Sequence, residues 1–127
     1  AGNIEIDLWL RRTGALARTT GMFVHLVRSE GQEPVPPPAE GKEAQRDFFN
    51  GDHQVVGGSF YLSDAPKDVV VHDSSGVHIR MAAKGDYDVY VAFGHVSGKR
   101  GRAHIIEKGQ SEINEDRIKI GSFHLGP

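Results

Sequence analysis

Chemistry in this chain has to come from histidine, carboxylate, aromatic and a few basic side chains, because cysteine is absent. Without it there are no disulfides, thiolate metal sites or cysteine nucleophiles. The compositional feature that stands out is seven histidines: His25, His53, His72, His78, His95, His104 and His124. A metal site on a sheet needs ligands at i and i+2 on one face, or on neighbouring strands, backed by a carboxylate. His72 and His78 come nearest, because Asp73-Ser74-Ser75-Gly76 between them reads as a turn that would set them opposite each other across a hairpin. Solvent-facing strand histidines have the same spacing. The expectation is therefore no cofactor and no resident metal, with His72 and His78 the pair to follow if a metal binds. His25, inside an apolar strand, reads as a hydrogen-bonded core or interface histidine.

Asp52 with Asp64, or Asp86 with Asp88, are of the right type for paired carboxylates in glycoside hydrolysis or for oxygen ligands to calcium. Aspartates in turns commonly hydrogen-bond their own backbone instead. No Asp-x-Asp-x-Asp-Gly loop, serine-nucleophile signature, glycine-rich phosphate loop or zinc-hydrolase histidine pair occurs. No catalytic residue is expected, and the chain reads as a non-enzyme. Lys99, Arg100 and Arg102 form a small basic turn with the chemistry to grip a phosphate or carboxylate, although a solvated hairpin tip explains it equally well. Trp9, Tyr61 and Tyr90 offer aromatic faces on which a pyranose ring can stack. The candidate ligand contacts are thus Trp9, Tyr61, Tyr90, Arg100 and Arg102.

These residues sit on short segments with a period of two. From Asn3 to Leu10, Ile4, Ile6, Leu8 and Leu10 share one face while Glu5, Asp7 and Trp9 share the other, the mark of a half-buried strand. A turn near Thr13-Gly14-Ala15 and a second strand from Met22 to Val27 make a β-hairpin the simplest reading, with the second strand buried on both faces. Residues 29–45 hold Pro34 and the Pro36-Pro37-Pro38 run, which cannot enter a ladder because proline lacks the N–H, so they form a long surface loop. Phe48 to Asp52 reads as a turn after aromatic anchors, and Pro38 to Phe49 has room for a short helix at most. Gln54 to Leu62 reads as a strand bulged at Gly57-Gly58. Val69 to Val71 and Val77 to Met81 pair as a second hairpin about the Asp73–Gly76 turn. The clearest strand is Tyr87 to Phe93, with Tyr87, Val89, Val91 and Phe93 on one face. Arg102 to Ile106 and Arg117 to Phe123 complete the set.

Short strands separated by turn signals, with no sustained helical period, predict an all-β fold: a two-sheet antiparallel sandwich, Ig-like or jelly-roll-like, of about seven to nine strands. A chain of 127 residues is long enough for one core and too short for two, so residues 1–127 are expected to form a single domain. Fifteen Lys and Arg against 17 Asp and Glu leave a net charge of −2, which offers no basic field for nucleic acid. The apolar runs are far short of the roughly 20 residues a spanning helix needs, and no basic segment leads into an apolar one, so neither membrane insertion nor a secretion signal is expected.

The order of motifs resembles that of small β-sandwich domains appended to bacterial membrane glycosyltransferases and related cell-envelope proteins. The residues that carry the resemblance are Phe23-Val24-His25-Leu26, Gly51-Asp52, the run from Gly85-Asp86-Tyr87 through Val89-Tyr90-Val91, the Gly98-Lys99-Arg100 or Gly101-Arg102 turn, and Arg117-Ile118-Lys119-Ile120-Gly121. Residues 69–81 fit the pattern less well. The resemblance implies a non-catalytic accessory domain on the extracytoplasmic side of a bacterial envelope, in contact with a glycan or a protein partner, and brings no catalytic residues with it.

Three functions compete. A binding or accessory sandwich would show Trp9, Tyr61 and Tyr90 exposed on one face. A structural module, with the chain as a homo-oligomer, would show an apolar face or edge strand buried against a second copy. A metal-dependent enzyme would need three of His25, His72, His78 and His104 to converge with a carboxylate. The binding sandwich is the leading expectation, because no catalytic motif meets those tests.

Overall fold

The structure is a computed structural model that describes residues 2–11, 20–53, 64–95, 112–114 and 117–126. Its described elements are all strands: β1 (Asn3–Leu10), β2 (Thr20–Arg28), β3 (Phe48–Asn50), β4 (Val71–His78), β5 (Gly85–His95), β6 (Glu112–Asn114) and β7 (Arg117–Leu125). They form two antiparallel sheets, a five-stranded one in the order β3-β2-β5-β7-β6 and a two-stranded one that pairs β1 with β4. No α-helix occurs among the described residues.

Alternation decides which residues meet. Ile6 of β1 and Val77 of β4 are buried, as are Met22, Val24 and Leu26 of β2, Phe49 of β3, and Tyr87, Val89 and Val91 of β5. All belong to one apolar cluster, which therefore draws on both sheets, and Ile4, Leu8, Leu10 and Phe93 pack against it. Along β7 the inward parity changes: Ile120 packs on the cluster, and so do Phe123 and Leu125. The register shift between Val89 and Tyr90 makes this possible, because Val89 pairs with Gly121 while Tyr90 pairs with Lys119, leaving Ile120 as the extra residue of a bulge.

Tyr87 anchors the entry to β5. Its ring is fully buried, stacked on Phe123 at 5.2 Å, and its hydroxyl donates to the carbonyl of Ala83 four residues upstream at 2.7 Å. Burial pushes the phenol above its ordinary value of 10.0. Just ahead of it, Gly85 adopts φ of 131°, and a Cβ there would run into the Gln32 side chain. That side chain clamps the base of the 29–45 loop: Gln32 Nε2 donates to the carbonyls of Ser29 and Asp86, and its Oε1 accepts from Asp86 N. Residues 29–45 contain no strand or helix.

Several sequence expectations are corrected. β1 and β2 do not form a hairpin; β1 pairs with β4 in one sheet and β2 lies between β3 and β5 in the other. Residues 73–76 are not a turn. They run through the middle of β4, where Asp73 and Val77 point into the core and Ser74 and Gly76 point out. The segment pairs along its whole length with β1, so its Asp-Ser-Ser-Gly composition is overridden by the partner strand. Phe48 to Asn50 is a strand rather than the start of a turn, and Phe49 is its core-facing residue. The strand expected over 54–62 and the one expected over 102–106 lie outside the described residues.

Candidate functional site

The outward parity of β1 places Asn3, Glu5, Asp7 and Trp9 in a row on the solvent face of the two-stranded sheet. Opposite them, in register, stand His78, Gly76, Ser74 and His72 of β4. All eight are exposed. Trp9 keeps 67% of its surface in water, yet it is not loose, because its ring lies flat against His72 with centroids 4.6 Å apart and planes 5° from parallel. His72 is held in turn by Asp7, whose Oδ1 is 2.9 Å from Nε2. Ser74 also hydrogen-bonds the Asp7 carboxylate, and the bonds from His72 and Ser74 draw its pKa below the ordinary 3.8. The arrangement is an aromatic platform with one ring face covered by imidazole, its orientation set by a cross-strand carboxylate. At the far end, His78 Nδ1 and Asn3 Oδ1 are 3.1 Å apart.

His72 and His78 therefore occupy one face of one strand, six positions apart in sequence, roughly 20 Å at strand rise. They do not face each other and cannot share an ion. The expectation of a facing pair failed because it rested on a turn that is a strand. Among the described residues, no group of three or more His, Asp or Glu is placed to hold a metal.

Tyr90 belongs to the other sheet. It faces away from Val89 and Val91, half-buried, and pairs with His25 of β2 and Lys119 of β7. The Arg117 guanidinium lies over its ring, 4.0 Å from the centroid, so an arginine already occupies a face that a sugar would need. Trp9 and Tyr90 both point away from the shared core but from different sheets, and they do not form one platform. Tyr61, Arg100 and Arg102 lie outside the described residues, as does His104. His25 is half-buried on the same outer face as Tyr90, with the Phe48 ring at 5.2 Å and Asp52 Oδ1 at 3.8 Å.

No family model, curated protein or solved structure matches the chain. Its function has to be read from its own residues.

Asp52, Asp86 and Asp88 have structural partners. Asp52 Oδ1 accepts from Val24 N at 3.1 Å, where β2 would otherwise lack a ladder acceptor, and Asn50 Oδ1 accepts from Asp52 N at 2.9 Å in an Asx turn. Asp88 accepts from the Ser29 hydroxyl at 2.9 Å and lies 3.4 Å from Lys119 Nζ, while Asp86 meets His124 Nδ1 at 2.7 Å.

Asp73 is the buried polar residue the sequence reading missed. It is 1% exposed and its Oδ2 lies 2.8 Å from His53 Nε2. His53 Nδ1 is 2.9 Å from the Gly51 carbonyl, which can only accept, so Nδ1 donates there while Nε2 faces the carboxylate. With both ring nitrogens committed, His53 is a strut between β4 and the β2–β3 edge rather than an acid or base poised for substrate. His53 N and O also pair with Met22 across β2. Glycine is required next door, because a Cβ on Gly51 would collide with Val77 Cγ2 of the opposing sheet. Gly51-Asp52-His53 thus ties the sheets together, and a short hydrogen-bonding triplet after an aromatic pair was the signal available for it.

Proposed function

We propose that this chain is a non-catalytic β-sandwich binding module that recognises a glycan on the outer face of the β1–β4 sheet. The observation that carries the reading is Trp9: a large apolar ring held flat in water by His72, which Asp7 orients. An exposed indole presented rigidly has already lost the freedom that ligand stacking would otherwise cost, and it contributes apolar area to the face of a pyranose. Asp7, Ser74 and His72 around the ring supply hydrogen-bonding groups for sugar hydroxyls. The architecture supports a scaffold role. One core spans both sheets, and the Tyr87 hydroxyl bonded to Ala83 has the form of the tyrosine corner of Greek-key sandwiches. Resemblance to the accessory domains of envelope glycosyltransferases points the same way and favours an extracytoplasmic location in bacteria.

Trp9 is the single tryptophan of the chain, so its fluorescence reports on the proposed site alone. Titration with a panel of soluble oligosaccharides is expected to give a saturable change in emission with at least one member. Trp9→Ala, at an exposed position, should abolish retention of the chain on that glycan when immobilised while leaving the thermal midpoint in place. If no glycan moves the emission, or if Trp9→Ala is retained as well as the parent, the reading is wrong.

A further inference from the structure

Every residue from 33 to 38 is restricted by proline. Pro34, Pro36, Pro37 and Pro38 have φ set by their own rings, and Glu33, Val35, Pro36 and Pro37 each precede a proline, which pushes them out of the helical region. The segment is therefore held extended as a left-handed polyproline II helix, roughly 19 Å long at the usual rise. It contains no strand or α-helix and is exposed at every position except the half-buried Val35. Three residues make a turn, so Pro34 and Pro37 share one exposed edge and Pro36 and Ala39 another. The carbonyls of residues 34–38 have no hydrogen-bond partner among the described residues.

The start of the segment is tied to β2 and β5. Arg28 Nη1 donates to the Glu33 carbonyl at 2.6 Å, and Gln32 exchanges two hydrogen bonds with the Asp86 backbone. Its end is a turn in which Lys42 N donates to the Ala39 carbonyl at 2.9 Å. Charge around the prolines is mainly negative: residues 29–45 hold Glu30, Glu33, Glu40 and Glu43 against Lys42. Of the nearby arginines, Arg80 pairs with Glu43, Arg28 is spent on the Lys84 and Glu33 carbonyls, and Arg46 lies over the Phe49 ring. Glu30, Glu33 and Glu40 are exposed, with no ion pair among the described residues.

We infer that residues 33–39 are a ligand displayed to a partner protein, one with an aromatic-lined groove and a basic rim. Prolines of a polyproline II helix seat between aromatic rings, and the unbonded carbonyls accept from donors in the groove. A segment already extended and tied at its start loses little freedom on docking. Glu33 and Glu40 bracket the prolines and meet the rim.

The test is biolayer interferometry of the immobilised intact chain with purified SH3 and WW domains, in one set with basic groove rims and one with acidic rims. At least one basic-rimmed domain should bind saturably, and the acidic-rimmed set should not. Pro34→Ala combined with Pro37→Ala should weaken that binding about ten-fold, as loss of a central anchor does, with the thermal midpoint unchanged. Glu33→Gln combined with Glu40→Gln should weaken it about three-fold, added salt should act the same way, and Trp9→Ala should have no effect. No retention of any basic-rimmed domain, equal retention of the acidic-rimmed set, or binding that survives the proline changes or is lost with Trp9→Ala would each overturn the inference. Sedimentation that finds the chain bound to itself through Pro34 and Pro37 would also overturn it, by giving the segment to a second copy.

Discussion

At the residue scale, the Trp9 platform depends on a hydrogen bond between groups 65 positions apart in sequence, Asp7 and His72. Its signature in solution is the Asp7 titration. A carboxyl whose native pKa lies below 3.8 adds stability that is present above that value and is lost as pH falls through the native one. Carbon-detected NMR should place the Asp7 midpoint below 3.8, and His72→Ala should return it towards 3.8, because the largest cause of the shift is removed. A midpoint indifferent to His72→Ala would mean the carboxylate does not orient the imidazole. That every outward residue of β1 faces solvent was legible from its alternation alone. That Trp9 rests on a histidine was not, because the contact belongs to a strand pairing that no local pattern encodes.

At the element scale, β5 follows its hydrophobic period, while β7 changes parity at its bulge and β4 is extended against its composition. β5 places Tyr87, Val89 and Val91 inward as its alternation predicts. β4 contains Asp-Ser-Ser-Gly, a composition that favours a turn, yet it stays extended because β1 pairs with it at all eight positions. Its buried aspartate meets His53, which arrives from the other sheet, at 2.8 Å. The opposite edge of that contact is Gly51 against Val77, and it makes a sharp prediction. Gly51→Ala should destabilise the chain by about 2 kcal/mol in urea unfolding, the usual cost of forcing a methyl into a filled core. In a Val77→Ala background the same change should cost little, since the colliding Cγ2 has gone. Equal costs in both backgrounds would show that the two sheets do not approach there.

At the scale of the whole molecule, the shared core and the His53–Asp73 strut make the β1–β4 pair part of the same cooperative unit as the five-stranded sheet. A two-stranded sheet has little stability of its own, and the platform it carries is only as rigid as that attachment. Asp73→Ala leaves the half-buried His53 without its carboxylate and should cost about 3 kcal/mol in denaturant unfolding, the low end of the range for removing one partner of a buried pair. If urea unfolding of Asp73→Ala matches the parent within experimental error, the strut contributes nothing. Tryptophan fluorescence and far-ultraviolet circular dichroism should report one coincident transition in the parent, because Trp9 sits on the smaller sheet and most strand residues on the larger.

The sequence by itself determined the all-β class, the inward and outward faces of β1 and β5, the loop at 29–45, and the exposure of Trp9 and outward placement of Tyr90. Those properties follow from side-chain period and from backbone chemistry such as the missing proline N–H, which act over a few residues. Only the tertiary structure decided that β1 pairs with β4, that 73–76 is strand, that His72 meets Trp9 and not His78, and that Trp9 and Tyr90 belong to different sheets. Strand pairing is a choice among distant segments with similar periods, and the free energy that selects one comes from a core no single segment can form.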